Sequence, residues 1–261
     1  MARLARQIVN AALATRGLDK SFGSLVVAKG IAFELPQGAR YALIGPNGAG
    51  KTTLINLMTG MLRPDAGAIM LGAEDITALP PDKRVTRGLV RTFQINTLFP
   101  NLNALEAVTL AVCERDGVAR TWWKRVDAYS AAVDEAHAIL SSLMLGEDCY
   151  RPTRELPYGR QRLLEIALAL ATRPKVLLLD EPAAGVPREE SAELFAAISQ
   201  LSRDITVLFI EHDMNFVFRF ASRIIVMVGG RILLEGTPDE VSADPRVREV
   251  YLGKSHGARH G

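Results

Sequence analysis

The stretch "YALIGPNGAGKTTLINLMTGML", Tyr41–Leu62, sets the pattern GxxxxGK[ST] between an apolar run and a helix-like segment. Tyr41–Ile44 predicts a buried strand, and "TTLINLMTGML" predicts a helix that begins on the glycine-rich loop. That strand–loop–helix context is what turns the pattern into a phosphate-binding loop. Its glycines let the backbone curl so that successive N–H groups point inward at phosphate oxygens, and the helix dipole adds positive potential. Lys51 is placed to reach the β- and γ-phosphates, the Thr52 hydroxyl to join a Mg²⁺ shell, and Thr53 to add a phosphate hydrogen bond. The candidate phosphate site is therefore Gly45, Pro46, Asn47, Gly48, Ala49, Gly50, Lys51, Thr52 and Thr53.

Working outward, "VLLLDEP", Val176–Pro182, reads as an apolar strand ending in acid. In open α/β sheets ligands bind at the carboxyl edge of the strands, where Asp180 can hold Mg²⁺ directly or through water. Glu181 follows as a second carboxylate, able to orient or deprotonate an attacking water. Such a pair carries little meaning alone, but with the loop it makes a nucleoside triphosphate site. Residues 13–44 read as short strands broken by turn signals at "PQG", and "PDAGAIMLGAEDIT" as a turn into another strand. "RIIVMVGGRILLEG" predicts a β-hairpin turning on its glycine pair. From about Leu102 to Leu143 the periodicity is helical, apart from the basic aromatic segment "RDGVARTWWKR". The alternation predicts an α/β fold on a largely parallel sheet with a helical insertion.

Composition narrows the function. The 261 residues carry a net charge of only +2, so no basic footprint points to nucleic acid. Two cysteines, Cys113 and Cys149, lack metal-like spacing and fit unpaired thiols in a reducing compartment. The N-terminus has no sustained apolar core of a secretory signal, and no window approaches the length of a membrane span. The expectation is a soluble protein that can dock on a membrane protein.

A third segment discriminates among phosphate-loop proteins. "LPYGRQR", Leu156–Arg162, opens an apolar helix just before the acidic strand. Together with "RTFQ" ending at Gln94, "LLLDEPAAG", and "IEHD" containing His212, it resembles the ATP-binding subunit of an ABC transporter across nearly the whole chain. The resemblance implies one ABC ATPase domain over residues 1–261. That fold is an α/β P-loop NTPase core with a mostly parallel sheet, an antiparallel β subdomain, and a helical subdomain over about 97–170 that carries the signature segment. ATP and Mg²⁺ are the implied cofactors. Gln94 matches the glutamine that touches Mg²⁺ and the attacking water, and His212 the switch histidine at the γ-phosphate, working with Glu181. Phe22, in "SFGSL", matches the aromatic that stacks on adenine, a role needing only a flat π-face; a core phenylalanine is the other reading.

In that family two cassettes sandwich two ATPs, and the signature segment of one serves the ATP of the other. Pro157, Tyr158 and Gly159 are thus expected to act in trans. The implied partners are a second ABC ATPase chain (hetero- or homodimer), two membrane permease subunits and, indirectly, a periplasmic binding protein. The implied place is peripheral, on the cytoplasmic face of the inner membrane. A soluble or regulatory ABC-type ATPase with weak hydrolysis is the alternative. The "EPAAG" run and the tail "GRILLEGTPDEVSADPRVREVYLG" look like the branched-chain amino-acid importer branch, with its urea and amide relatives. Trp122 and Trp123 read either as part of a packed surface excursion or as a contact to headgroups or a partner.

Two residues depart from the family pattern. Pro157 stands where a serine usually gives a hydroxyl to the γ-phosphate across the dimer, a bond worth about 1.5–3 kcal/mol. What remains is the backbone N–H of Gly159 and of neighbouring residues, with the helix dipole. Pro187 stands where many relatives have an aspartate that contacts the partner. Pro157 predicts weaker closure or slower turnover and Pro187 the loss of a polar inter-subunit contact; together they suggest a partner ATPase with a fuller signature, with a homodimer of two slightly impaired sites as the alternative.

Overall fold

The computed structural model describes residues 11–92, 98–117 and 127–252. They fall into two compact units: the described residues of Met1–Arg84 with Thr206–Gly261, and those of Val85–Ile205.

In the first unit, β1 (Ala11–Phe22) and β2 (Leu25–Pro36) form a long antiparallel ribbon. β4 (Ala66–Leu71) pairs on the other edge of β1, and β5 (Glu74–Asp75) completes the order β2-β1-β4-β5. The sequence predicts short strands over residues 13–44, whereas β1 and β2 have twelve residues each. Register shifts, including those between Thr15 and Leu18 and between Lys20 and Ser21, carry the pairing through the breaks in alternation.

The second sheet region of this unit places β3 (Arg40–Ile44) between β8 (Thr206–Ile210) and β9 (Arg223–Val228), parallel to both. Every residue of β3 and β8 is buried, which is why these strands do not alternate in the sequence. β10 (Arg231–Gly236) returns antiparallel to β9 through Gly229 and Gly230, the predicted hairpin.

Helix α1 (Lys51–Thr59) starts from Gly50 and stops at Gly60, before the predicted Met61 and Leu62. A helix end leaves carbonyls without intrahelical donors. Here the buried Arg84, on α2 (Pro81–Thr86), supplies them: Nη1 donates to Leu57 O at 2.7 Å and Met58 O at 2.6 Å. Its Nε and Nη2 donate to Leu79 O at 2.9 Å and Thr77 O at 2.8 Å. The unit closes with α7 (Met214–Phe220), α8 (Pro238–Ala243) and α9 (Pro245–Leu252). α8 opens on a reciprocal Thr237–Glu240 capping box.

In the second unit, β6 (Leu89–Thr92) runs parallel to β7 (Val176–Asp180). Helices α3 (Ala104–Arg115), α4 (Asp127–Ser142) and α5 (Tyr158–Ala171) pack on one another, and α6 (Arg188–Ser199) packs on α5. Arg115 fastens the bundle: its Nη1 and Nη2 donate to the two Glu135 oxygens at 2.6 and 2.9 Å, and Nη1 also reaches Ala171 O at 2.8 Å. Cys113 and Cys149 are buried free thiols. Among the described residues no helix is long and apolar enough to cross a membrane.

Candidate functional site

The phosphate-loop residues lie where the sequence predicts, on the turn between β3 and α1. Two close approaches explain two of its glycines. A Cβ on Gly45 would sit 2.1 Å from Met227 O, and one on Gly50 would sit 2.5 Å from Val27 O. Gly50 also has φ +99°, a left-handed backbone that disfavours any side chain. The β9–β10 hairpin braces the loop: Gly230 N donates to Ala49 O at 3.0 Å, and Lys29 N to Gly230 O at 2.8 Å. Lys51 is buried, and its Nζ donates to Gly45 O at 2.7 Å and Pro46 O at 3.2 Å. The ammonium is thus folded onto the loop. Asn47, Gly48 and Thr52 are exposed, while Pro46 and Thr53 are half-buried.

Also in the first unit, Phe22 ends β1 with half of its surface exposed, so it is not a core residue. Lys20 Nζ lies over its ring, 5.6 Å from the centroid. His212 follows β8, is exposed, and donates its backbone N–H to the buried Glu211 carboxylate at 3.1 Å. Glu211 escapes sequence reasoning because it is one more acid in an acidic stretch. Tyr251, on α9, is pushed up to about 12 by burial, while the Gly45 backbone hydrogen bond pulls the other way.

In the second unit, Asp180 ends β7 and is nearly buried, and its Oδ2 accepts from Arg91 Nη2 at 2.5 Å. Glu181, next along the chain, has φ +49°. A left-handed glutamate is uncommon, and backbone strain of this kind concentrates at functional positions. Gln94 lies outside the described residues, as do Trp122 and Trp123.

The signature segment opens α5 with Pro157 as N-cap, φ −53° and ψ 153°, and no side-chain cap. Proline's fixed φ suits this place, and the chain enters the helix without a hydroxyl. The Tyr158 hydroxyl accepts from Arg162 Nη2 at 2.8 Å, with that guanidinium 5.1 Å from the ring centroid. Arg162 also pairs with Glu165 at 2.8 Å, whose carboxyl is pushed up by burial, with the Arg162 hydrogen bond opposing. The Gly159 N–H donates to Glu190 Oε2 at 2.7 Å, a partner that no local pattern announces.

Parallel strands feeding a glycine loop, with its lysine at the start of a helix, define a P-loop nucleotide-binding protein of the α/β class. The family model described as ABC transporter matches residues 28–184, and one described as branched-chain amino acid ATP-binding cassette transporter matches residues 231–257. The chain belongs to the ABC transporter family, as an ATP-binding cassette. It is 38% identical to the high-affinity branched-chain amino acid transport ATP-binding protein BraF of Pseudomonas aeruginosa, over 93% of this chain and 98% of that one. It is 39% identical, with the same coverage, to the corresponding protein LivG of Salmonella typhimurium. A crystal structure of the ADP conformation of an ATP-binding cassette of an ABC transporter superposes with a TM-score of 0.80, at 33% identity, covering 93% and 99% of the two chains.

Proposed function

We propose that the chain hydrolyses ATP in a sandwich with a second cassette and so drives uptake of branched-chain amino acids, or related small polar solutes, through separate membrane subunits. The observation that carries this reading is the loop at Gly45–Thr53, with Lys51 folded onto it between a buried strand and a helix. The substrate class is supported by the match at residues 231–257 and by the relatives' names.

In this reading Lys51 and the loop amides grip the phosphates, and Phe22 offers its face to the adenine. Thr52 and Asp180 are hard oxygen donors, the kind that Mg²⁺ takes, and would hold the ion when it binds. When bound, that ion neutralises charge on the phosphate oxygens. Glu181 takes the proton of the attacking water as its oxygen bonds the γ-phosphorus, the bond to the bridging oxygen breaks, and ADP and phosphate leave. His212 and Gln94 position that water. Pro157, Tyr158 and Gly159 serve the partner cassette's ATP. Two permeases receive the motion at the cytoplasmic face, and a periplasmic binding protein delivers the solute.

The test is leucine uptake by proteoliposomes that hold the chain, its partner ATPase and the permease pair. Uptake should require ATP and vanish with Glu181→Gln. Failure of every branched-chain and small polar solute to enter with ATP would sink the importer reading.

A further inference from the structure

Helices α5 and α6 both begin on a proline N-cap, Pro157 and Pro187, and neither has a side-chain cap. Glu190 is the third residue of α6, where a glutamate ordinarily reaches back to the N–H of its own N-cap. Pro187 has no N–H, so that return bond cannot form. The carboxylate turns instead to the other helix and accepts from the Gly159 N–H at 2.7 Å. It fits closely there: a Cβ on Gly159 would meet Glu190 Oε2 at 2.6 Å and Glu190 Cβ at 2.9 Å. The glutamate of one helix caps the start of its neighbour.

This contact matters because of Pro157. Without a hydroxyl or an N–H at that position, the segment is left with the backbone amides at the start of α5, and the Gly159 amide is one of them. It already holds an anion. A pocket of about 200 Å³ adjoins the contact, lined by Pro157, Gly159, Arg160, Leu163, Glu190 and Glu193. Its one cation, Arg160, is engaged, with Nη2 3.6 Å from Glu193 and Nε 3.8 Å from Asp148. Apart from Arg160, every side chain lining that pocket is apolar or acidic.

Resting on the sandwich reading above, we propose that Glu190 is a tethered competitor for the partner's ATP. Its carboxylate occupies the Gly159 amide in the free cassette, and the γ-phosphate must displace it for the sandwich to close. Glu190 therefore sets the ATP concentration at which two cassettes associate. It touches neither the P-loop grip on nucleotide nor the attacking water.

The experiment compares the full chain carrying Glu181→Gln with the same chain carrying Glu190→Gln or Glu190→Ala in addition. Two quantities are read: binding of a fluorescent ATP analogue, and ATP-driven association followed by light scattering. Nucleotide binding should be equal in all three. Half-maximal association should need about tenfold less ATP in the Glu190 variants, the factor that one modest charge-assisted hydrogen bond supports. Glu190→Gln keeps an oxygen for the Gly159 N–H and removes the charge, so a shift there separates competition from capping. A lowered melting temperature with an unchanged association midpoint would make Glu190 a helix cap only and overturn the proposal. Equal nucleotide binding with no association in any chain would overturn it too. Absence of nucleotide binding in every chain would instead bring down the ATPase reading on which it rests.

Discussion

Arg91 Nη2 bonds Asp180 Oδ2 at 2.5 Å between the adjacent parallel strands β6 and β7, with the two side chains only 13% and 6% exposed. A carboxylate expected to hold a metal is thus held by a guanidinium of its own chain. Removing one partner of a buried pair leaves an uncompensated charge and costs about 3–5 kcal/mol. Arg91→Met should therefore lower stability by about that amount, and Arg91→Met with Asp180→Asn should recover most of it. Urea unfolding of both variants checks this; costs that simply add would refute the coupling.

Glu181 joins a left-handed backbone to the proposed role of base. Holding a side chain in the left-handed region costs about 1–2 kcal/mol, and glycine's greater unfolded freedom offsets part of any relief. Glu181→Gly should raise stability by about 1 kcal/mol while hydrolysis falls by about 10²–10⁴. A thermal melt and a phosphate-release assay on one preparation decide it. A destabilised Gly variant would contradict the strain account.

The helix that follows the phosphate loop depends on a residue of another helix. Arg84 is 1% exposed, and burial pulls its guanidinium below the ordinary value. Arg84→Met leaves the carbonyls of Leu57 and Met58 buried without those bonds, with an expected cost of about 3 kcal/mol or more. Hydrogen exchange should show the loss first at the C-terminal end of α1. Uniform loosening of the whole chain would argue against a local role.

Acid should unfasten the helical unit through Glu135. Hydrogen bonds from Arg115, and secondarily from Arg173, hold its carboxyl below the ordinary 4.5, against an opposing effect of burial. A depressed folded value means that the stabilisation is present above the unfolded value and lost as pH falls through the folded one. Stability should decline from about pH 4.5 downward, and Glu135→Gln should flatten that decline while lowering the neutral-pH plateau. Equal acid limbs in the two proteins would assign the loss to other carboxylates.

The elements that read clearly in the sequence are those with local periodicity. Tyr41–Ile44, the helix from Lys51, the acid-ended strand and the Gly229–Gly230 hairpin each announce themselves within about ten residues. Strand length over residues 13–44 did not, because a bulged ribbon breaks the alternation that marks a strand. The pairs Arg91–Asp180, Arg84–Leu57 and Gly159–Glu190 join residues 89, 27 and 31 positions apart. In each pair the partner lies beyond the reach of any local periodicity. One signal was available for the third pair: a glutamate three places after a proline N-cap has no return bond to make.

The hairpin that walls the P-loop also begins the C-terminal segment by which the chain matches branched-chain cassettes. Met227 O approaches Gly45 and Gly230 N holds Ala49, so part of the loop's support is built from residues immediately ahead of that segment. The tail is therefore not a detachable module. A chimera that grafts another cassette's C-terminus should be cut after Gly230; a cut before Met227 exchanges a wall of the phosphate loop along with the tail.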